Sequence, residues 1–483
     1  MQGGIRVCGR GPGLTAYGFP VSLRVTEFYG EDELESREGI FPTAFAWGTA
    51  SSAAQSEGVS EHSDWRLRER SGAAPVSGRG NNKGQCYDED FLKLADLGLL
   101  HFRTSLDWSR FEPQKGVYDR EAIENCRRML ETAQRRGLTV WLSLHHVCLP
   151  AWFQKLGGFM EETARVYWHR FVEFAAKELG PLADFWIPIH EPTAYAAAAY
   201  LLGRFPPGKQ RMDKFNEMLI HVHQAHGEAY RILKTYLPSR AKVGMATLVV
   251  PVEPRTETDT DRFGADFVDG LINRVSLDAI ERGAVSVPGR GAVEVPLCKG
   301  AADFIGIDYF FRLIVGREAP RADLCFAELG RIEGMPAIRT GREGEARSEE
   351  CYGIHASGLY AAIKRVNQAE LGLPLYVTGA GVATDDEDLR VRYLAETVAA
   401  LERALVQGLD VRGCLLTSDV DGYEWNRGYN AHYGLFGFDP QSFERRARPA
   451  AGLVARVTHE RRLPKEHEPP PVPPPASEVP VKG

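Results

Sequence analysis

A chain of 483 residues that is 43% hydrophobic and 10% aromatic can bury a large core, and its length suits either several domains or one large α/β barrel. A net charge of −7, with Lys and Arg interspersed among Asp and Glu, gives no electrostatic reason to expect a nucleic acid or an anionic membrane as partner. The eight cysteines form no CxxC pair and no Cys/His cluster at zinc spacing, so they read as reduced thiols rather than as a disulfide framework or a metal site.

Residues 1–38 are Gly-rich and carry no sustained periodicity, which predicts an N-terminal extension. Arg6, Arg10 and Arg24 interrupt any apolar run of signal-peptide length, and no stretch approaches a membrane span of ~20 apolar residues. The expectation is a cytoplasmic protein.

From residue 39 to 463 a single domain is predicted. Short apolar segments recur at Phe45–Ala50, Leu99–Trp108, Leu138–His146, Asp184–Glu191, Lys242–Val250, Asp303–Phe310, Leu373–Thr378 and Val411–Asp419. Stretches of helical period lie between most of them, including Glu121–Arg136, Glu161–Leu179, Met212–Leu237 and Asp388–Gln407. Strand followed by amphipathic helix, repeated about eight times, predicts a parallel sheet closed into a (β/α)₈ barrel. An open doubly wound sheet shares this local pattern. The strand ends favour the barrel: Gln55, Arg103, Asp107, His145, His146, His190, Glu191, Asp308, Ser418 and Asp419 all fall near predicted C-termini. Barrel enzymes assemble their sites from the C-terminal ends of several strands. Residues 464–483, PKEHEPPPVPPPASEVPVKG, hold too much proline for a core or a ladder, and predict a disordered or polyproline-II tail. Such a tail is a spacer, or a strand that docks in an aromatic groove on a partner protein.

Between Phe41 and Ala451 the motifs resemble glycoside hydrolase family 1, the β-glucosidase family. FPTAFAWGTASSAAQSEG (41–58), HFRTSLDWSRFEP (101–113), LSLHHVCLPAWF (142–153), WIPIHEPTAYA (186–196), GRFPPG (203–208), DFIGIDYF (303–310) and VRGCLLTSDVDGYEW (411–425) are similar to that family's ordered segments. The resemblance implies a (β/α)₈ barrel with Glu191 as acid/base and Arg103 beneath the reaction centre. It also implies that Gln55, His146, Glu424 and Trp425 bind sugar, and that neither cofactor nor metal takes part.

The chain then departs from the pattern. The family's nucleophile lies in a Thr-Glu-Asn-Gly segment that ends strand seven, and here the segment reads Thr378-Gly379-Ala380-Gly381. A glycine cannot form the glycosyl ester of the retaining mechanism, which needs a second carboxylate about 5–5.5 Å from the first. The Asn before the acid is His190, the strand-six Tyr is Phe310, and the strand-eight platform Trp is Thr417. Asp308, Asp419 and His190 are candidates to face the vacated space as base or anion. Three readings stay open: a β-glycoside-processing enzyme, a pseudoenzyme that binds a sugar or a partner, and an inverting or transferring enzyme using water or an acceptor.

Two patterns mimic other functions. His221, His223 and His226 do not share one helical face, so they read as surface or core groups rather than as metal ligands. GAGVAT (379–384) imitates part of a dinucleotide fingerprint, but Asp385, Asp386, Glu387 and Asp388 follow at once and would repel phosphate.

Overall fold

A computed structural model of the chain describes residues 39–316 and 336–468. The expected N-terminal extension and all but the first five residues of the expected tail lie outside the described residues.

Eight parallel strands form the barrel: β1 (Ala46–Ala50), β2 (His101–Ser105), β3 (Thr139–His145), β4 (Phe185–Ile189), β5 (Met245–Leu248), β6 (Ile305–Tyr309), β7 (Leu375–Ala380) and β8 (Val411–Thr417). Apart from β4 and β5, successive strands pair in parallel, with register shifts in the β6–β7 and β7–β8 pairs, and β8 returns to β1 through Gly413↔Ala46 and Thr417↔Ala50. On the far side, Lys242–Val243 pairs with β4 while Met245–Leu248 pairs with β6. The two pieces are one strand interrupted at Gly244, and they close the ring. A Cβ at Gly244 would lie 2.5 Å from the Phe304 ring, so a glycine is needed where the barrel closes around that aromatic.

Alternation along each strand sends one set of side chains inward and the other toward the helices. The outward set packs under helices such as Arg120–Arg135, Arg165–Leu179, Met212–Tyr236 and Glu387–Val406, with Trp168, Phe171 and Trp186 fully buried between the layers. The inward set divides into two storeys. Low in the barrel, Trp141 and Phe185 stack with ring centroids 3.8 Å apart, and Phe304 and Tyr376 meet Trp141 edge-on at 5.3 and 5.2 Å. The Trp141 indole N–H donates to His101 Nδ1 at 3.0 Å, which leaves no orphan donor in this plug. Above it the inward positions turn polar. Aromatic packing thus seals the N-terminal half, and any ligand enters from the C-terminal ends of the strands.

The histidine-rich helix supplies packing. His223 bonds the Leu219 carbonyl at 2.7 Å and Ser276 Oγ at 2.9 Å, and His226 bonds the Ala301 carbonyl at 2.9 Å. Both are fully buried, and burial holds each imidazole down at about 4 and therefore neutral. Beyond GAGVAT, Asp386 caps the helix Glu387–Val406 by accepting from Leu389 N at 2.8 Å, so a carboxylate already occupies that N-terminus. No helix among the described residues is long and apolar enough to cross a membrane.

Candidate active site

A cavity of about 390 Å³ opens over the C-terminal ends of the strands. Gln55, Arg103, His146, His190, Glu191, Asp308, Glu424 and Trp425 line it together, and Gly379 lies behind Asp308.

The position of Glu191 follows from the backbone. β4 ends at Ile189, but His190 N still bonds the His145 carbonyl at 3.0 Å and Glu191 N bonds the Ala246 carbonyl at 2.9 Å. The chain is therefore held from both neighbouring strands while it turns. Glu191 takes φ +46°, a left-handed conformation that costs a non-glycine residue roughly 1 kcal/mol or more. Pro192 then starts the short helix Pro192–Ala196 at its first position, where a missing N–H costs nothing. Strain at this residue, fixed on both sides, aims the carboxyl group into the cavity.

Asp308 reaches the same place from β6. Ile307 pairs with Val377, but Asp308 pairs with Gly379, so Thr378 is an extra residue in β7. This bulge re-aims two neighbours at once. Thr378 Oγ1 donates to Asp308 Oδ1 at 3.0 Å, and Gly379 presents bare backbone to the same oxygen. A Cβ built on Gly379 would stand 2.6 Å from Asp308 Oδ1 and 3.3 Å from Thr417 Oγ1. The Asp308 carboxylate thus fills the space into which a strand-seven side chain would project.

The surrounding charges separate the two carboxyl groups. Arg103 Nη1 lies 3.7 Å from Asp308 Oδ1, and His190 Nε2 lies 2.9 Å from Asp308 Oδ2. The second contact is close but poorly aligned, and Oδ2 accepts no well-formed hydrogen bond. Burial alone would raise Asp308, yet His190, Arg103 and Thr378 outweigh it and hold the carboxylate below its ordinary range. Glu191 moves the other way. Burial, reinforced by the Asp308 charge, pushes it up to about 8 although Arg103 opposes the shift. At neutral pH the site therefore holds one protonated and one ionised carboxyl group, with an oxygen of each within 4.8 Å of the other. His190 is driven down by burial and by Arg103, so it stands beside Asp308 as a neutral imidazole. His190, Glu191 and Asp308 each offer a ligand atom within 4.8 Å of the others, a donor set of metal type. Arg103 Nη1, 2.9 Å from His190 Nε2, already places a positive charge there and disfavours a cation.

Across the cavity Gln55 Nε2 donates to Glu424 Oε2 at 2.8 Å and Gln55 Oε1 accepts from Ser52 Oγ at 2.8 Å. Burial pushes Glu424 well up, and Glu350 adds to the shift. Trp425 packs against Trp65 at 4.8 Å and lies nearly parallel to His146 at 5.8 Å, which stacks in turn on His190 at 4.7 Å. These flat groups form one wall. Thr417 lines the cavity.

Asp419 corrects an expectation. It does not face the space beside Gly379. Its carboxylate pairs with the Lys83 ammonium, itself 3.3 Å from Asp90, and Asp90 is paired with Arg445 at 2.8 Å. This buried network knits the first long helix to the region after β8. Thr378 was missed as a site residue, because its role depends on the bulge. The apolar lining of Leu201, Leu248, Leu271, Ile272, Leu313 and Ile338 was also missed.

The family model for Glycosyl hydrolase family 1 matches residues 37–462. A β-galactosidase of Sulfolobus acidocaldarius is 26% identical, covering 89% of this chain and 97% of its own length. The chloroplastic galactolipid galactosyltransferase of Arabidopsis thaliana is 27% identical, with 72% of this chain and 53% of that protein covered. The β-glycosidase from Pyrococcus horikoshii superposes with a TM-score of 0.80 at 28% identity, covering 89% of this chain and 97% of that one.

Proposed function

The chain belongs to glycosyl hydrolase family 1, and on that premise we propose that it cleaves β-glycosides with Glu191 as the acid and Asp308, rather than a strand-seven glutamate, as the attacking carboxylate. One observation carries the reading: the Asp308 carboxylate lies against Gly379 with an oxygen within 4.8 Å of one of Glu191. Glycoside cleavage needs a proton for the leaving oxygen and an anion for the developing oxocarbenium ion.

A glycosidic oxygen entering beside Glu191 accepts its proton. Asp308 Oδ2 forms a bond to the anomeric carbon as the bond to the leaving oxygen breaks, and the aglycone departs as an alcohol carrying the proton. In the second step Glu191, now a carboxylate, takes a proton from water whose oxygen displaces Asp308. The sugar is released with its configuration retained. A Glu191 oxygen within 4.8 Å of an Asp308 oxygen supports this sequence over single displacement, which needs the carboxyl groups about 6.5–9.5 Å apart around a water. Arg103 and the neutral His190 steady the Asp308 charge throughout, in a site where burial strengthens each interaction.

An acceptor alcohol in place of water at the second step gives transfer. The galactosyltransferase among the relatives favours testing for it. Chromogenic β-glucosides and β-galactosides, with products followed by proton NMR, test the proposal. Turnover that yields the β-anomer first and is lost in Glu191→Gln supports it. Initial release of the α-anomer, or equal rates in the variant, contradicts it. Binding of sugars with no turnover that depends on Glu191 leaves a sugar-binding protein.

A further inference from the structure

A second cavity of about 390 Å³ lies over the end of β2, between the helices Lys83–Asp96 and Arg120–Arg135. It shares no lining residue with the cavity that holds Glu191 and Asp308. The short helix Ala53–Glu57 stands between the two: Gln55 lines the first cavity and Glu57 the second.

Four carboxylic acids, Glu57, Asp107, Asp119 and Glu121, line the second cavity against two guanidinium groups, Arg79 and Arg110. Both guanidinium groups are engaged. Arg110 Nη2 donates to the Gly58 carbonyl at 2.7 Å, and its Nε stands 3.7 Å from Asp107 Oδ2. Arg79 Nη2 donates to Asn82 Oδ1 at 2.9 Å, with its guanidinium over the Phe443 ring. Asp119 is engaged as well, since its Oδ1 caps the helix Arg120–Arg135 by accepting from Glu121 N and Ala122 N, at 3.0 Å each. Glu121 is exposed to solvent. Glu57 differs from all of these: among the described residues it has neither a hydrogen bond nor an ion pair. Burial raises its carboxyl group above the ordinary value, and the attraction of Arg110 does not offset this. A poorly solvated carboxylate without a donor is costly to keep ionised.

Gly84 leaves that carboxylate uncovered. It sits in the first turn of the helix Lys83–Asp96, where glycine is less favourable than alanine. A Cβ at this position would lie 3.4 Å from Glu57 Oε2, an ordinary contact, so any side chain here would cover the group. Leu106, Phe111, Ala122 and Met129 add apolar surface to the same cavity. Its volume suits a small molecule, with apolar lining for affinity and a polar group for orientation. An anion would meet the surplus of carboxylates, and a neutral polyol would leave the charge of Glu57 uncompensated. We propose that this cavity binds a small organic cation, an ammonium group on a short hydrocarbon chain, with the ammonium on Glu57 and the chain against the apolar surface. The site is independent of the glycoside reading.

Calorimetric titration of the full chain at pH 8 with butylammonium chloride, and with butanol as the neutral counterpart, tests the proposal. Butylammonium should bind about tenfold or more tighter than butanol, because a hydrogen bond between ionised partners is much the stronger. Glu57→Gln should weaken butylammonium binding about tenfold or more. Gly84→Leu, which favours the helix while filling the cavity, should abolish binding and leave the circular dichroism spectrum unchanged. Asp308→Asn should leave the affinity unchanged. Equal binding of butylammonium and butanol overturns the proposal, as does the absence of butylammonium binding. Affinity kept in Gly84→Leu, or lost in Asp308→Asn, also overturns it. If Glu57→Gln does not fold, Gly84→Leu decides alone.

Discussion

Two sets of side chains in the cavity over the strand ends act on opposite principles. Arg103, His190 and Asp308 are buried beside a partly exposed Glu191, and the charges of the four groups act on one another. Leu201, Leu248, Leu271, Ile272, Leu313 and Ile338 bring apolar area to the same cavity, and each side chain contributes its area independently. Interacting charges in a poorly solvated site act as a unit, whereas buried apolar area adds piecewise. A single changed atom in the first set should therefore abolish turnover, while a changed side chain in the second should shift only the preference among substrates.

The largest effects are expected at the carboxyl pair. Glu191→Gln and Asp308→Asn should each lower kcat/KM by about a thousandfold or more for substrates with poor leaving groups, as measured by steady-state kinetics. Activity should fall as pH rises through about 8, where Glu191 loses its proton. Stability carries the same sign. The folded chain keeps a proton on Glu191 that the unfolded chain releases near its ordinary value of 4.5, so this group destabilises the fold progressively as pH rises from there to about 8. Thermal unfolding should accordingly show Glu191→Gln gaining on the unmodified chain at pH 8 relative to pH 4.5.

Next in size is a substitution that restores the family's residue. Gly379→Glu should lower activity at least tenfold rather than raise it, because its Cβ displaces the Asp308 carboxylate. Equal or higher kcat would mean that Asp308 is dispensable. Thr378→Val removes one hydrogen bond to an ionised group, a loss of about 1.5–3 kcal/mol, or roughly ten- to a hundredfold in kcat if that bond is needed in the transition state. The smallest effect on turnover is expected at Asp419. Asp419→Asn breaks its pair with Lys83 and should cost about 3–5 kcal/mol of stability by chemical denaturation, with kcat per folded molecule unchanged.

Asp308 and Asp419 also mark how far the sequence could be read. Both are carboxylates near the end of an apolar strand, so both were candidates to face the space beside Gly379. What separates them is a lysine at position 83, distant in sequence, which claims Asp419. Pairing over that span leaves no local trace. The strands and helices were legible because the period of the apolar positions survives in the chain, and Lys242–Val250 missed only the interruption at Gly244. Gly379, Glu191 and the cavity-lining Gln55, His146, Glu424 and Trp425 were legible through their motifs. Thr378 was not, since the bulge that turns its hydroxyl toward Asp308 comes from register with β6. Nor were the leucines and isoleucines that line the cavity, since Leu201, Leu271 and Ile272 reach it from two π turns and Leu248, Leu313 and Ile338 from strand ends that only the folded chain brings together.

The central claim is that Asp308 has taken over the work of the absent strand-seven glutamate. Incubation with a 2-deoxy-2-fluoro glycosyl fluoride, followed by proteolysis and mass spectrometry, tests it most directly. Time-dependent inactivation and one fluoroglycosyl adduct on Asp308, absent from Asp308→Asn, are the expected result. Turnover of β-glycosides with no adduct, or with an adduct on any other residue, would contradict it.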